Sequence, residues 1–366
     1  MRPEALLSPT SAPAPGRAPR ILRGSPALFD FWAARFSPTW SWSRALARVV
    51  ACEAAASDAV TLVLKPNRHF RGFAPGQHLN IGVEVDGRRL TRSYSPSAPI
   101  GPDGRFRITV KRMPGGKVSG HLCDHARVGD VLTLGEAFGD LALPQDDPAP
   151  RLLLAAGSGI TPMMAIFADL AAQADPAPAT LLYFTRTRDQ RCFVDELRAI
   201  TARQPALTVR FLLTRDTAQA DDEADGRLCA EPLSAWTQAP AHVLACGPAG
   251  FVATARALLA DRTASFAAES FSPPARDASD SGTVELTLAR SGRRLTVARG
   301  QPLLEALEAA GLSPESGCRR GLCNTCACGK SAGSTRHLLT GDTEHEPVSA
   351  LRLCVSSARS DLVLDL

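Results

Sequence analysis

The spacing of four cysteines constrains this chain more than any other feature. Cys318, Cys323 and Cys326 follow C-x4-C-x2-C within the stretch ESGCRRGLCNTCACGK, and Cys354 comes after 27 intervening residues. Zinc usually takes paired C-x2-C knuckles, and only one pair here has that spacing. A Rieske centre replaces two cysteines with histidines, and this loop has no histidine. The pattern is that of a plant-type [2Fe–2S] cluster, in which three thiolates come from a tight loop and the fourth from a returning segment. Gly317 and Gly321 let the backbone fold over such a cluster and aim N–H groups at its sulfurs. The expected metal ligands are Cys318, Cys323, Cys326 and Cys354. Cys328 is expected just outside the cluster as a spare thiol, or as a competitor of Cys326.

The whole chain bears on that reading. Its 366 residues suit two or three domains. With 45% hydrophobic and 21% charged residues, a sizeable core is expected. Five of the ten cysteines fall in the last 50 residues and the others are scattered singly. That distribution fits a reducing, cytoplasmic setting with one dedicated metal site rather than a disulfide framework. A net charge of +4 calls for no nucleic acid partner. Residues 1–48 hold seven arginines against Glu4 and Asp30, a local +5, so the rest sums to −1 (4 − 5). The first 20 residues contain no apolar run of the secretory kind. The uncharged LLLAAGSGITPMMAIFA, 152–168, reaches the lower edge of a membrane span, about 17 residues. Gly157, Ser158, Gly159, Thr161 and Pro162 interrupt it, so a buried strand, a turn and a helix start are expected instead.

Texture divides the chain into segments. Residues 1–28 form a proline-rich arm, and Phe29, Phe31, Trp32, Phe36, Trp40 and Trp42 cluster after it. These aromatics predict a short helix packed on the next domain or, with their arginines, an anchor at a membrane surface. The arm and this segment together occupy 1–44. Short alternating runs over 45–148 predict an antiparallel β-barrel or sandwich. Over 149–272 strand and helix patterns alternate, which predicts an α/β parallel sheet with crossover helices. Residues 273–282 read as a linker. Residues 283–366 hold a hairpin, an amphipathic helix and the cysteine loop.

Three short motifs stand in order on the predicted barrel: APGQ at 74–77, RSYS at 92–95 and GGKVSGHL at 115–122. AAGSGITP at 155–162 follows a buried strand and opens a helix, so its glycines admit close backbone approach to a pyrophosphate at the helix N-terminus. CGP at 246–248 ends the last strand of that domain, and ESF follows at 269–271. Together these resemble the ferredoxin–NADP reductase superfamily, followed by a β-grasp-like α+β ferredoxin module. The resemblance implies that Arg92 pairs with a flavin phosphate, Tyr94 packs on the isoalloxazine and Ser95 bonds near its reactive nitrogen. Val118 and Ser119, after the turn at Gly116, supply donors to the phosphates. Gly157, Gly159, Thr161 and Pro162 line the nicotinamide site with Cys246, Gly247 and Pro248. Tyr94, Ser95 and Cys246 are the catalytic candidates. In YFTRTRD, 183–189, Arg186 and Arg188 can clamp a 2′-phosphate, pointing to NADPH, while Asp189 can hold the free 2′-hydroxyl of NADH.

The resemblance implies an NAD(P)H-dependent iron–sulfur flavoprotein reductase with FAD, or alternatively FMN. A nicotinamide gives two electrons at once, and a flavin can pass them singly to a cluster. The acceptor implied is a terminal oxygenase or desaturase. Alternatives are the reductase of a soluble aromatic-ring oxygenase or another redox enzyme, and a cluster-based sensor or scaffold. Residues 29–48 resemble a segment ahead of the barrel in reductases serving membrane fatty-acyl desaturases, which implies peripheral membrane contact. Ten basic and nine acidic residues in 283–366, with Arg319 and Arg320 beside the cluster, predict an acidic docking surface on the acceptor.

Overall fold

The computed structural model describes residues 26–366 apart from 145–146, 231–232, 234–239, 260–262, 273–276 and 278. The predicted arm up to residue 25 and part of the predicted linker lie outside the described residues.

The chain enters through helix α1 (Pro26–Phe36), with proline at a first-turn position that needs no N–H. One carboxylate ties this helix to the segment leading into the barrel. Asp30 accepts hydrogen bonds from the Trp42 amide at 2.6 Å, the Ser41 hydroxyl at 3.1 Å and Arg44 Nε at 3.0 Å. The expected helix is present, but among the described residues its expected cover is not. Phe36 is 83% exposed, Trp40 58% and Trp32 54%, so the aromatic face looks outward.

Six antiparallel strands follow: β1 (Leu46–Ala56), β2 (Ala59–Pro66), β3 (His78–Val85), β4 (Arg88–Tyr94), β5 (Phe106–Lys111) and β6 (Val131–Phe138). Their order is β4-β3-β6-β1-β2-β5, and an antiparallel bridge between Pro96 and Ile108 joins the two edges. The period of two is plain in the core. Leu62 and Leu64, Leu79 and Ile81, and Phe106, Ile108 and Val110 all point inward. Helix α2 (Lys117–Asp124) plugs this core with Val118 and Leu122. It follows directly on the turn at Gly115-Gly116.

The next unit is a wholly parallel sheet of β7 (Arg151–Ala156), β8 (Ala179–Thr185), β9 (Leu207–Leu213), β10 (Glu223–Asp225), β11 (His242–Gly247) and β12 (Ser265–Ser270). The order is β10-β9-β8-β7-β11-β12. Crossover helices α3 (Ile160–Ala171), α4 (Val194–Arg203) and α5 (Ala249–Leu259) accompany it, and β7 is buried at every residue. Strand order reverses between β7 and β11, where α/β sheets of this kind open a crevice for ligands. Ala59 and Leu141 of the barrel side pack into the core that also holds Ile160 and Met163, so barrel and sheet share apolar surface.

The last unit pairs β13 (Thr283–Leu288) with β14 (Arg294–Ala298) as the predicted hairpin, followed by α6 (Leu303–Ala309). Strands β15 (Ala327–Ala332), β16 (Thr335–His337), β17 (Thr343–Glu344), β18 (Val348–Arg352), β19 (Ser356–Ala358) and β20 (Leu362–Leu364) complete it. They form a five-stranded sheet, β14-β13-β20-β15-β18, and a small sheet, β17-β16-β19. Leu303, Leu304 and Leu307 of α6 bury against Leu286, Leu288, Leu362 and Leu364. Between α6 and β15 runs the cysteine loop.

A candidate redox site where three units meet

Strand β4 carries Arg92 and Tyr94, and Ser95 follows directly. The Arg92 guanidinium is half-buried, donates to the Thr91 carbonyl at 2.7 Å and has no ion-pair partner among the described residues. Burial, and then the neighbouring Arg319 cation, pull its pKa down. A cation so placed lacks an anion, and a flavin phosphate fits that need. Tyr94 packs beside the barrel core, and burial pushes its phenol up, so it stays neutral. The Ser119 hydroxyl is engaged with the turn that precedes α2, accepting from the Met113 amide at 3.1 Å and donating to the Gly116 carbonyl at 3.3 Å. The orphan N–H groups in the first turn of α2, that of Val118 included, are what remains there for phosphate oxygens.

Ser95 and a residue outside the predicted site, His78, form the centre of the junction. Both are buried, at 3% and 0% exposure, and His78 Nδ1 bonds the Ser95 hydroxyl. Nε2 of the same ring bonds the carboxylate of Glu269 on β12. A carboxylate can only accept, so Nε2 donates to Glu269, while Nδ1 and the Ser95 hydroxyl share the second bond. This chain of three side chains spans barrel and parallel sheet. Glu269 is the acidic residue of the ESF motif. His78 follows APGQ, and only its pairing across 191 positions marks it out.

In the crevice between β7 and β11, Gly157-Ser158-Gly159 makes a tight turn into α3. A Cβ at Gly159 would lie 2.0 Å from the Cys246 carbonyl oxygen, so only glycine lets the two strand ends approach this closely. Gly247 meets Ala156 from the other side, while Pro248 leads into α5 and stays exposed. Thr161 donates to the Ser158 carbonyl at 3.1 Å and, like Pro162, is buried. The Cys246 thiol has no exposure. Burial, and then the Glu269 carboxylate, push its pKa well up, so it is a neutral thiol.

The arginines of YFTRTRD part company. Arg188 donates to Glu223 at 2.7 and 3.1 Å and to the Thr217 carbonyl at 2.8 Å. That bond is the main reason the Glu223 carboxyl is held down at about 2. Arg188 therefore serves the sheet rather than standing free for a phosphate. Asp189 is also engaged, its carboxyl held down chiefly by a hydrogen bond from the Ser57 side chain of the barrel. Arg186 is exposed and unpaired among the described residues. Arg215, at the end of β9, is exposed beside it, its amide donating to the Arg186 carbonyl at 2.9 Å.

The four predicted ligand cysteines come together, Cys318, Cys323 and Cys326 from the loop before β15 and Cys354 from the turn between β18 and β19. Cys318 and Cys323 form one hydrogen-bonded thiol pair, and Cys326 and Cys354 the other. In each pair that bond holds one thiol down (Cys323, Cys326) and the other up (Cys318, Cys354). Among the described residues no three ligating groups converge on a single ion. Two pairs are what a two-iron rhomb requires, with two thiolates at each iron, whereas one tetrahedral zinc needs all four together. Backbone N–H groups already face the sulfurs. Arg320, Leu322 and Cys323 point theirs at Cys318 Sγ at 3.3–3.4 Å, Cys318 at Cys323 Sγ at 3.2 Å, and Gly321 at Cys354 Sγ at 3.2 Å. Gly321 manages this at φ +78°, with no room for a side chain beside Val355. Cys328 sits opposite Leu351 in the ladder of β15 and β18, packed against the core, and burial pushes it up to about 11.

The cysteine loop rests on the barrel. Asn80 of β3 donates to the Thr325 hydroxyl at 3.3 Å and accepts from the Ser93 hydroxyl at 2.6 Å, so one side chain links the RSYS strand to the loop. Arg319 pairs with Glu308 at 2.8 Å and Arg320 is 8% exposed. The two arginines expected on a docking surface are thus one neutralised and one turned inward, and they carry no argument for an acidic acceptor.

A barrel with an unmatched cation, a crevice at a strand reversal and a loop of paired thiols in mutual contact define a pyridine-nucleotide-dependent flavoprotein reductase with its own iron–sulfur module. The comparisons agree. An oxidoreductase FAD-binding domain matches residues 47–141, an oxidoreductase NAD-binding domain 153–257, and a 2Fe-2S iron-sulfur cluster binding domain 286–359. An NADPH oxidoreductase of Mycobacterium tuberculosis is 33% identical over 355 residues, 93% of this chain and 90% of that one. The ferredoxin reductase component of 3-ketosteroid-9-alpha-monooxygenase from the same species is 33% identical over 81% of this chain and 86% of its own. Phthalate dioxygenase reductase, described as a modular structure for electron transfer from pyridine nucleotides to [2Fe–2S], superposes with a TM-score of 0.59. It shares 25% identity over 88% of this chain and 97% of its own. The chain belongs to the ferredoxin–NADP reductase superfamily, in the branch that carries a C-terminal [2Fe–2S] domain. It is an NAD(P)H oxidoreductase whose cofactors are FAD and a [2Fe–2S] cluster.

Proposed function

We propose that this chain takes electrons from NADPH and hands them singly to a terminal oxygenase or desaturase, with units divided at 44/45, 148/149 and 272/283. The observation that carries the reading is the Ser93–Asn80–Thr325 link, which seats the cysteine loop on the strand that bears the flavin motif. Bound flavin would accept a hydride and release electrons one at a time, and the cluster would relay them. Arg92 would hold the flavin phosphate, Tyr94 the face of its ring, and Ser95 its reactive edge. Ser95, His78 and Glu269 together offer a buried hydrogen-bond chain that can orient the ring and carry a proton away from it. Gly157, Gly159 and Gly247 would bring the nucleotide close, and Cys318, Cys323, Cys326 and Cys354 would ligate the irons. The relatives include a monooxygenase component and a dioxygenase reductase, which supports an oxygenase as acceptor. The test is NADPH-driven cytochrome c reduction by purified protein. Turnover that needs both flavin and cluster is expected, and its absence would remove the reading.

For the nucleotide, the cationic pair we assign to the 2′-phosphate is Arg186 with Arg215. Steady-state kinetics of the double alanine variant should show KM for NADPH rising about 10-fold with KM for NADH unchanged, as loss of two charge-assisted contacts predicts. Arg188→Ala should instead lower the thermal midpoint and leave the NADPH to NADH ratio where it was. An unchanged ratio in the double variant would point to NADH.

Contact with a membrane face is supported by the outward aromatic side of α1. Leu28, Phe29, Trp32, Phe36, Trp40 and Trp42 line one apolar hollow of about 410 Å³, and the seven arginines of residues 1–48 suit anionic headgroups. Among the described residues no helix is long and apolar enough to cross a bilayer. Full-length protein should co-sediment with vesicles containing phosphatidylglycerol, and a variant lacking residues 1–44 should stay in the supernatant. Equal sedimentation of the two would dismiss the contact.

A further inference from the structure

We propose that Arg320, a residue of the cysteine loop, is the positioning residue that holds the hydride-accepting corner of Ser95, His78 and Glu269 in place. The inference rests on the reading of that corner as the seat of the flavin's reactive edge. Arg320 belongs to the loop by its main chain, whose N–H points at Cys318 Sγ at 3.4 Å. Its side chain leaves the loop altogether. Nη1 donates to the Ser270 carbonyl at 3.0 Å, and the guanidinium lies 4.7 Å from the centre of the Phe271 ring.

Those two residues directly follow Glu269. Phe271 is held on three sides: by Arg320, by the His78 ring in a T-shaped contact at 5.6 Å between ring centres, and by its own amide, which donates to the Gly247 carbonyl at 2.9 Å. Glu269 can face His78 only while this segment keeps its path. Arg320 is buried and, among the described residues, has no carboxylate partner, unlike its neighbour Arg319. A buried guanidinium that makes no ion pair but stacks on a ring and caps a strand-end carbonyl is placed for those contacts. The cysteine unit thus completes a site that belongs to the other two.

A residue beside a cluster ligand should therefore govern the step before electrons reach the cluster. The experiment compares wild type, Arg320→Ala and Arg320→Lys as full chains loaded with flavin and cluster. In Arg320→Ala the amides of residues 269–271 should exchange hydrogen about tenfold faster. The rate of flavin reduction at saturating NADPH should fall about tenfold, as misplacement of a positioned group predicts. Reduction by dithionite and the paramagnetic spectrum of the cluster should not change. Arg320→Lys, which keeps the charge and loses the planar stack, should fall between. Exchange and NADPH-driven rates within about twofold of wild type would overturn the proposal. Should Arg320→Ala not load its cofactors, Phe271→Leu removes the same stack from the other side and must give both changes. A wild-type protein that dithionite bleaches and NADPH does not would overturn the underlying reading rather than the role of Arg320.

Discussion

Cys326→Ala is expected to abolish NADPH-driven cytochrome c reduction while flavin stays bound and is still reduced by NADPH. Cys326 is 4% exposed, pairs with Cys354 and sits at the edge of β15, so no other thiol can swing into its place without breaking the ladder. Cys328 is the nearest rival in sequence, but its register opposite Leu351 fixes it in the strand. Changes to outer-shell partners of metal sites already cost about 10–100-fold, so loss of a ligand should cost at least that. Iron analysis and cytochrome c assays check it. Cys328→Ser should leave both iron content and turnover near wild type. A Cys326→Ala protein that keeps its iron and its one-electron turnover would mean that the ligand set is wrong.

The second large effect is expected at Gly159. An added methyl would meet the Cys246 carbonyl oxygen at 2.0 Å and the Gly247 nitrogen at 2.9 Å. Both are backbone atoms, so relief requires β7 and β11 to part at the strand ends that form the crevice. Misplacing a reactant by about 1 Å can cost about 100-fold in rate, and Gly159→Ala should lose about that much in NADPH-driven flavin reduction. Dithionite should still reduce flavin and cluster, because the Asn80–Thr325 bond that seats the cysteine loop on the barrel involves neither β7 nor β11. Stopped-flow reduction by each donor separates the two paths.

Local chemistry explains which parts of this molecule could be read from its sequence. The barrel and the parallel sheet announce themselves through periods of two and through buried runs such as LLLAA in β7, because each strand meets solvent or core in a regular rhythm. The thiol loop is legible because a two-iron cluster dictates ligand spacing within a few residues. Contacts between distant residues escaped detection. His78, Asn80 and Arg215 are each ordinary in their own stretch and gain meaning only from partners at Glu269, Thr325 and Arg186. Arg188 and Arg320 failed in the opposite sense. Arginines beside a nucleotide strand or a cluster look available, but Glu223 holds one and Phe271 covers the other. Helix α2 was hidden by Gly115, Gly116 and Gly120, which mask an eight-residue helix whose stability comes from burying Val118 and Leu122.

Electron delivery by this protein depends on flavin and cluster lying within electron-transfer reach in a single chain. The most direct test is an anaerobic titration of the purified protein with NADPH, followed optically and by electron paramagnetic resonance. Flavin absorbance should bleach, and a reduced-cluster signal should grow with it toward one spin per chain. Flavin that bleaches fully while an iron-loaded cluster stays oxidised would contradict that relay.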